Sequence, residues 1–181
     1  MKVCFIGVGS IGKRHMKNLK RIFEDRAESL QIDICRSGKG KPLEKEIESV
    51  ITESYNSLSD LPEDYDIIFI TNPTEYHLEV LKIVNNKAKH FFIEKPLTSK
   101  KQLGNFAEIQ EMAGKTYYVA CPLRYTKVIQ YAKEHIAKDQ IFGVRCISSS
   151  YLPEWRPGQD YRDTYSAHRD LGGGVAIDLI H

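Results

Sequence analysis

Short apolar runs and helix-period segments take turns along the first 120 residues. "KVCFIG" (2–7) reads as a strand that ends in glycines, and residues 11–23 then place Ile11, His15, Leu19, Ile22 and Phe23 on one helical stripe. "QIDICR" (31–36) predicts a second strand, and "PLEKEIESV" (42–50) a short helix begun by Pro42. A weak strand around Tyr55 precedes "YDIIFITNP" (65–73), a buried strand closed by a turn. Leu78, Leu81 and Val84 mark the next helix, and "KHFFIEKPL" (89–97) the next strand. Residues 99–113 predict a helix opened by Ser99, with Leu103, Phe106 and Gln110 on one face. "TYYVACP" (116–122) completes the series.

Strands that are apolar on both faces and alternate with helices predict an α/β fold with a parallel sheet covered on both sides. The pattern changes past Pro122. A helix near 126–138 is followed by "GVRCISSSYL" (143–152), which alternates polar and apolar as an antiparallel strand with one wet face would. The predicted boundary therefore divides residues 1–122 from 123–181. About sixty residues are few for a second core, so the later part is expected to be the incomplete start of a further domain, and the chain a piece of a longer one.

Charge narrows the classes of partner. Lys plus Arg number 26 and Asp plus Glu 24, a formal balance of +2. Basic residues form no long cluster, which argues against a nucleic-acid binder. There is no run of eighteen apolar residues and no charged-then-apolar leader, so neither a membrane span nor a secretory signal is expected. Cys4, Cys35, Cys121 and Cys146 are widely spaced with no CxxC pair, which suits reduced thiols in a cytoplasmic protein and no metal site.

"GVGSIG" follows the first strand and opens the first helix, with Gly7, Gly9 and Gly12 at GxGxxG spacing. The first glycine permits the tight turn, the second lets a pyrophosphate approach, and the third lets helix and strand pack closely. Free N–H groups of the loop, Ser10 and Ile11 among them, and the positive end of the helix dipole would then hold the phosphates. The end of the second strand bears on which dinucleotide binds. An NAD site places an acid there for the ribose 2′-hydroxyl; this chain has Arg36, followed by Ser37 and Lys39. A guanidinium suits a 2′-phosphate, so NADP is the expected cofactor, with NAD possible. Asp33 has the wrong strand parity for the ribose.

"GVGSIGKRH", "TNPTEYH", "EKPL", "CPLRY" and "GGGVAIDLIH" together resemble the glucose–fructose oxidoreductase / inositol dehydrogenase / MocA (Gfo/Idh/MocA) family of NAD(P)-dependent oxidoreductases. "EKP" and the glycine-rich Asp…His segment are the specific stretches. The resemblance implies a Rossmann-type doubly wound domain, then a second α/β domain with a largely antiparallel sheet that builds the substrate pocket and often an oligomer interface. It implies that Lys95 is the active-site lysine, positioned by Glu94 with Pro96 fixing the loop. Thr71, Asn72, Pro73 and His77 would line the nicotinamide side. Asp178 and His181 would be substrate binder and general acid/base; many members space this pair four apart, whereas here it is three. In a helix either spacing shares a face.

Arg124 matches an arginine that could hold the cofactor amide or a substrate oxygen, or tie the domains together. Trp155, Arg156 and Tyr161 lie in an aromatic, arginine-rich loop that suits a carbohydrate face, though an interface would look similar. The expected function is hydride transfer between a nicotinamide and a carbinol or carbonyl of a sugar, cyclitol or nucleotide sugar, in a homo-oligomer. The alternatives are a non-catalytic dinucleotide sensor and a cofactor-retaining glycosidase-like enzyme.

Overall fold

The computed structural model describes residues 1–38, 42–99, 114–136, 140–145, 147–155, 157–171 and 173–174. It divides into two units, Met1–Val119 and Ala120–His181.

The first unit is built on a six-stranded sheet. Its strands are β1 (Lys2–Ile6), β2 (Gln31–Cys35), β3 (Glu53–Tyr55), β4 (Tyr65–Ile70), β5 (Ala88–Glu94) and β6 (Thr116–Ala120), in the order β3-β2-β1-β4-β5-β6. The pairs β1–β2, β1–β4, β2–β3 and β4–β5 are parallel, with Cys4 opposite both Asp33 and Ile68. Four of the five residues of β1 are buried, because a central strand covered on both faces has no wet side. Its alternate side chains feed two cores. Cys4 and Ile6 pack with Ile68, Ile70, Leu81 and Phe91 on one face. Val3 and Phe5 pack with Met16, Ile32, Ile34 and Phe69 on the other, and the Phe5 and Phe69 rings stack with centroids 4.4 Å apart.

Helix α3 (His77–Val84) covers the first face with Leu78, Leu81 and Val84. The second face is covered by α1 (Ser10–Asp25), through Met16, and by the short α2 (Lys45–Glu48), through Ile47. The stripe on α1 differs from the sequence expectation. Ile22 is exposed, whereas Gly12, Met16 and Phe23 are buried. Gly12 causes the rotation. A Cβ there would sit 2.7 Å from the Gly7 carbonyl oxygen and 2.9 Å from Thr71 Oγ1, so the face carrying the glycine is the one that can come nearest the sheet.

The strand order has a functional consequence. From β1 the chain winds outward to β2 and β3, then returns to the other side of β1 as β4. The loops leaving β1 and β4 therefore part at the carboxyl edge, which is where doubly wound sheets form their ligand crevice.

In the second unit, Pro122–Tyr125 form a 3₁₀ turn, Lys127–His135 a helix and Leu152–Trp155 a single helical turn. The antiparallel strand expected over 143–152 is not formed: no described residue after β6 is in a strand. A strand needs a hydrogen-bonded neighbour, and none is present among the described residues; Val144 and Ile147 are 77% and 78% exposed. Of the helix expected over 99–113, residues 100–113 lie outside the described residues.

Gly12→Ala is expected to lower the urea midpoint at unchanged slope, a loss of about 1–3 kcal/mol from forcing a methyl against a backbone oxygen. Equilibrium unfolding of the two chains measures it.

Candidate functional site

The loop after β1 begins at Gly7, whose φ of +85° lies in the left-handed region that favours glycine. Its N–H donates to the Cys35 carbonyl at the end of β2. A Cβ at this position would lie 2.8 Å from Asn72 Cα and N, so only glycine lets the loops after β1 and β4 touch. Gly12 is likewise required by its surroundings. Gly9 is not: its φ of −77° suits any residue, and a Cβ there would meet nothing within 4 Å. The open space lies at the N-cap of α1, which no side chain caps. Ser10 and Ile11 begin that helix, with Ser10 exposed. Room beside a glycine that the fold does not need, next to uncapped helix N–H groups, fits the pyrophosphate of a dinucleotide.

The turn after β4 forms the opposite wall. The Thr71 hydroxyl donates to the Gly7 carbonyl, tying this turn to the glycine loop. Asn72 Oδ1 is buried and no described residue donates to it. Such an atom is costly without a partner, and a ligand in the crevice would satisfy it. Pro73 is exposed beside it, and Thr74 is buried.

His77 starts α3 and is 1% exposed. Its Nε2 lies 2.8 Å from the Asn72 carbonyl and its Nδ1 3.1 Å from the Pro96 carbonyl. The ring therefore joins the turn after β4 to the loop after β5. Burial pushes its pKa below the usual imidazole value, while the Asn72 and Pro96 carbonyls act in the opposite sense. Burial thus favours the neutral ring, which donates from one nitrogen only and so hydrogen-bonds one of the two carbonyls that face it.

Lys95, half-buried, directly follows β5 and is joined to Pro96 by a cis peptide bond. Glu94 before it is 8% exposed; its Oε2 accepts from the Lys95 N–H at 3.3 Å. Its Oε1 lies 2.5 Å from His15 Nε2, on α1. The sequence reading placed His15 on a helix stripe and at the end of the matching stretch "GVGSIGKRH", without a role. The available signal was an imidazole on a sheet-facing stripe, which needs a buried polar partner.

Arg36 and Ser37 sit just past β2, at the same carboxyl edge. The Arg36 N–H donates to the Tyr55 carbonyl, and the residue helps line a cavity of about 340 Å³ with Ile34, Pro42, Leu43, Ile51 and Ser54. Asp33 is fully buried and accepts from the Tyr65 hydroxyl at 2.9 Å, which leaves it no part in ribose recognition. The structure thus places Gly7, Gly9, Ser10, Ile11, Gly12, Thr71, Asn72, Pro73, His77, Glu94 and Lys95 at the carboxyl edge of the sheet, with Arg36 and Ser37 farther along that edge.

Arg124, Trp155 and Tyr161 belong to the second unit. Arg124 is exposed, and its carbonyl accepts from Gln130. Trp155 is exposed, and the Arg162 guanidinium lies over the Tyr161 ring at 5.9 Å. Lys39, Arg156, Asp178 and His181 lie outside the described residues.

Residues 1–121 match the family described as "Oxidoreductase family, NAD-binding Rossmann fold" (Gfo/Idh/MocA), and the chain belongs to that family. The chain is 36% identical over 93 residues to the uncharacterized oxidoreductase YrbE of Bacillus subtilis; the match covers 51% of this chain and 27% of YrbE. It is 29% identical over 118 residues to the myo-inositol 2-dehydrogenase of Thermotoga maritima, covering 64% of this chain and 33% of that enzyme. Matched stretches thus span a third or less of these curated relatives. The fold is shared with the scyllo-inositol dehydrogenase of Lactobacillus casei, solved with NAD(H) and scyllo-inositol. That match has a TM-score of 0.60 and 22% identity, over 74% of this chain and 40% of that one. Among the described residues, no helix is long and apolar enough to cross a membrane, and no cluster of His, Cys, Asp or Glu could hold a metal ion.

The His77 contribution to stability is full above about pH 6.5, where the unfolded imidazole is also neutral. It is lost as pH falls from there through the lower folded value, because the unfolded chain then takes up the proton first. Urea midpoints from near neutral to mildly acidic pH are expected to fall less steeply for His77→Gln than for the parent chain.

Proposed function

We propose that this chain is the cofactor-binding part of an NAD(P)-dependent oxidoreductase acting on a carbinol or carbonyl of a sugar, cyclitol or nucleotide sugar. The observation that carries the reading is the crevice itself. Gly9 leaves room at an uncapped helix start, Asn72 offers an unsatisfied buried oxygen, and Lys95 stands at the same edge.

The bound dinucleotide supplies the hydride chemistry. The chain's own residues do the rest. The loop N–H groups of Gly9, Ser10 and Ile11 hold phosphate oxygens, and Asn72 orients the nicotinamide end. Lys95 holds or gives up a proton at the substrate oxygen as its carbon changes oxidation state. Glu94 positions Lys95. Asp178 and His181 supply the complementary acid and imidazole, as the family resemblance implies. Arg36 favours the 2′-phosphate of NADP, with Ser37 and Lys39 beside it. Trp155, Arg156 and Tyr161 are the residues assigned to bind the carbohydrate, and Arg124 binds cofactor or substrate or ties the domains together. The working protein is a cytoplasmic homo-oligomer that binds neither nucleic acid nor membrane. Its relatives' names support the substrate class: one is a myo-inositol dehydrogenase and another was solved with scyllo-inositol.

Parallel fluorescence titrations with NADPH and NADH test the cofactor reading; tighter NADPH binding is expected, reversed by Arg36→Asp. Gly9→Ala should leave stability within about 0.5 kcal/mol yet weaken dinucleotide binding by about tenfold or more. In the enzyme that turns over an inositol or sugar, Lys95→Ala is expected to lower kcat by about 10²–10⁴-fold with cofactor affinity retained. Unaltered turnover in that variant would remove Lys95 from the chemistry, and a folded chain that binds neither dinucleotide would end the reading.

A further inference from the structure

His77 reaches back over its own turn. The Thr71 N–H still donates to Ile6 in the ladder with β1, and Asn72 is the first residue past it. Pro73 and one 3₁₀ turn, Thr74–Tyr76, then lead to His77 at the start of α3. The ring stands 2.8 Å through Nε2 from the Asn72 carbonyl oxygen, and 3.1 Å through Nδ1 from that of Pro96. Both neighbours are acceptors, so a neutral ring bonds one of them and sets a lone pair against the other. Burial favours the neutral form, against the opposing pull of the Asn72, Pro96 and Leu97 backbone and of Glu94. The two distances separate the tautomers. At 2.8 Å a proton has to lie between nitrogen and oxygen, because facing lone pairs repel at that range. A separation of 3.1 Å lies toward the long end of the hydrogen-bond range, where the two atoms can also rest in plain contact.

We infer that His77 carries its proton on Nε2 and is a positioning residue for Asn72, fastening the Asn72 carbonyl so that the side chain stays in place for the dinucleotide. This rests on the reading of Asn72 as the residue that meets the nicotinamide end. Asn72 needs such a hold. Its Oδ1 is buried without a donor, a costly state that the turn would relieve by letting the side chain move out to water. Gly7 packs against the Asn72 N and Cα, and the Thr71 hydroxyl donates to the Gly7 carbonyl. Both act on the side of the turn nearer β4. His77 acts on the carbonyl side, so the turn is fixed at both ends. The ring's one proton then serves the Asn72 turn and not the loop that carries Lys95.

The ring can be read directly. Two-bond proton–nitrogen NMR correlation spectra of the isotopically labelled chain near neutral pH show each imidazole nitrogen. The His77 peaks are those that vanish in His77→Gln. Nε2 is expected in the proton-bearing range and Nδ1 in the lone-pair range. The Asn72 side-chain amide, assigned by its loss in Asn72→Asp, reports the hold. A glutamine amide reaches as far as ring Nε2, whereas an asparagine amide reaches only as far as Nδ1. The Asn72 amide resonances should therefore shift in His77→Asn and return close to those of the parent in His77→Gln. Fluorescence titrations should follow the same order. NADPH and NADH are expected to bind His77→Asn about tenfold more weakly, the effect of one lost buried hydrogen bond, with the loss largely recovered in His77→Gln. His77→Met fills similar space without a donor and replaces the asparagine variant if that chain does not fold.

A proton on Nδ1, or a ring that averages between the tautomers, would overturn the inference. So would an Asn72 amide that responds alike to the two substitutions, or dinucleotide affinity unchanged in folded His77→Asn. The spectra need no dinucleotide. A folded chain that binds neither cofactor ends the functional reading, while the tautomer and the Asn72 amide still decide this point separately.

Discussion

Everything at the carboxyl edge depends on how closely the loops leaving β1 and β4 approach each other. Their strands diverge in connectivity, yet Gly7 lies directly against the Asn72 backbone, and the Thr71 hydroxyl bonds the Gly7 carbonyl. No side chain larger than hydrogen fits at Gly7 or Gly12 without moving backbone. From that contact a circuit of hydrogen bonds runs through the site. The His77 ring lies between the Asn72 and Pro96 carbonyls and donates to one of them, the Lys95 N–H donates to Glu94, and Glu94 meets His15 on α1. Helix α1 begins at the glycine loop, so the circuit closes on itself.

The circuit separates two kinds of glycine. Gly7 and Gly12 are there for the protein's own packing, whereas Gly9 leaves room that the protein does not fill. That division is what the phosphate-binding loop requires: two positions build a rigid turn, and the third yields space to a ligand. The histidines divide in a similar way. His77 is buried, favoured neutral by desolvation, and packed between two backbone segments. His15 meets one oxygen of a buried carboxylate whose other oxygen accepts from the Lys95 N–H.

Much of this was legible in the chain. Glycine spacing, the buried strand runs and their alternation with helices led to the doubly wound sheet, because each is a local pattern with a local cause. The reading of α1 went astray at Ile22, since periodicity alone permits neighbouring stripes and the choice between them lies with Gly12 and the sheet it touches. Alternation over 143–152 suggested a strand, but a strand is a property of a pair, and the described residues supply no partner.

The sequence by itself determined the class of fold, the position of the glycine loop and the candidate lysine, all set by residue type and short spacing. Only the tertiary structure decided which residue meets the glutamate that precedes it. His15 and Glu94 are 79 residues apart, and nothing in either neighbourhood names the other. They meet because β1 and β5 lie on either side of β4 in one sheet, and α1 packs across the face where their side chains emerge.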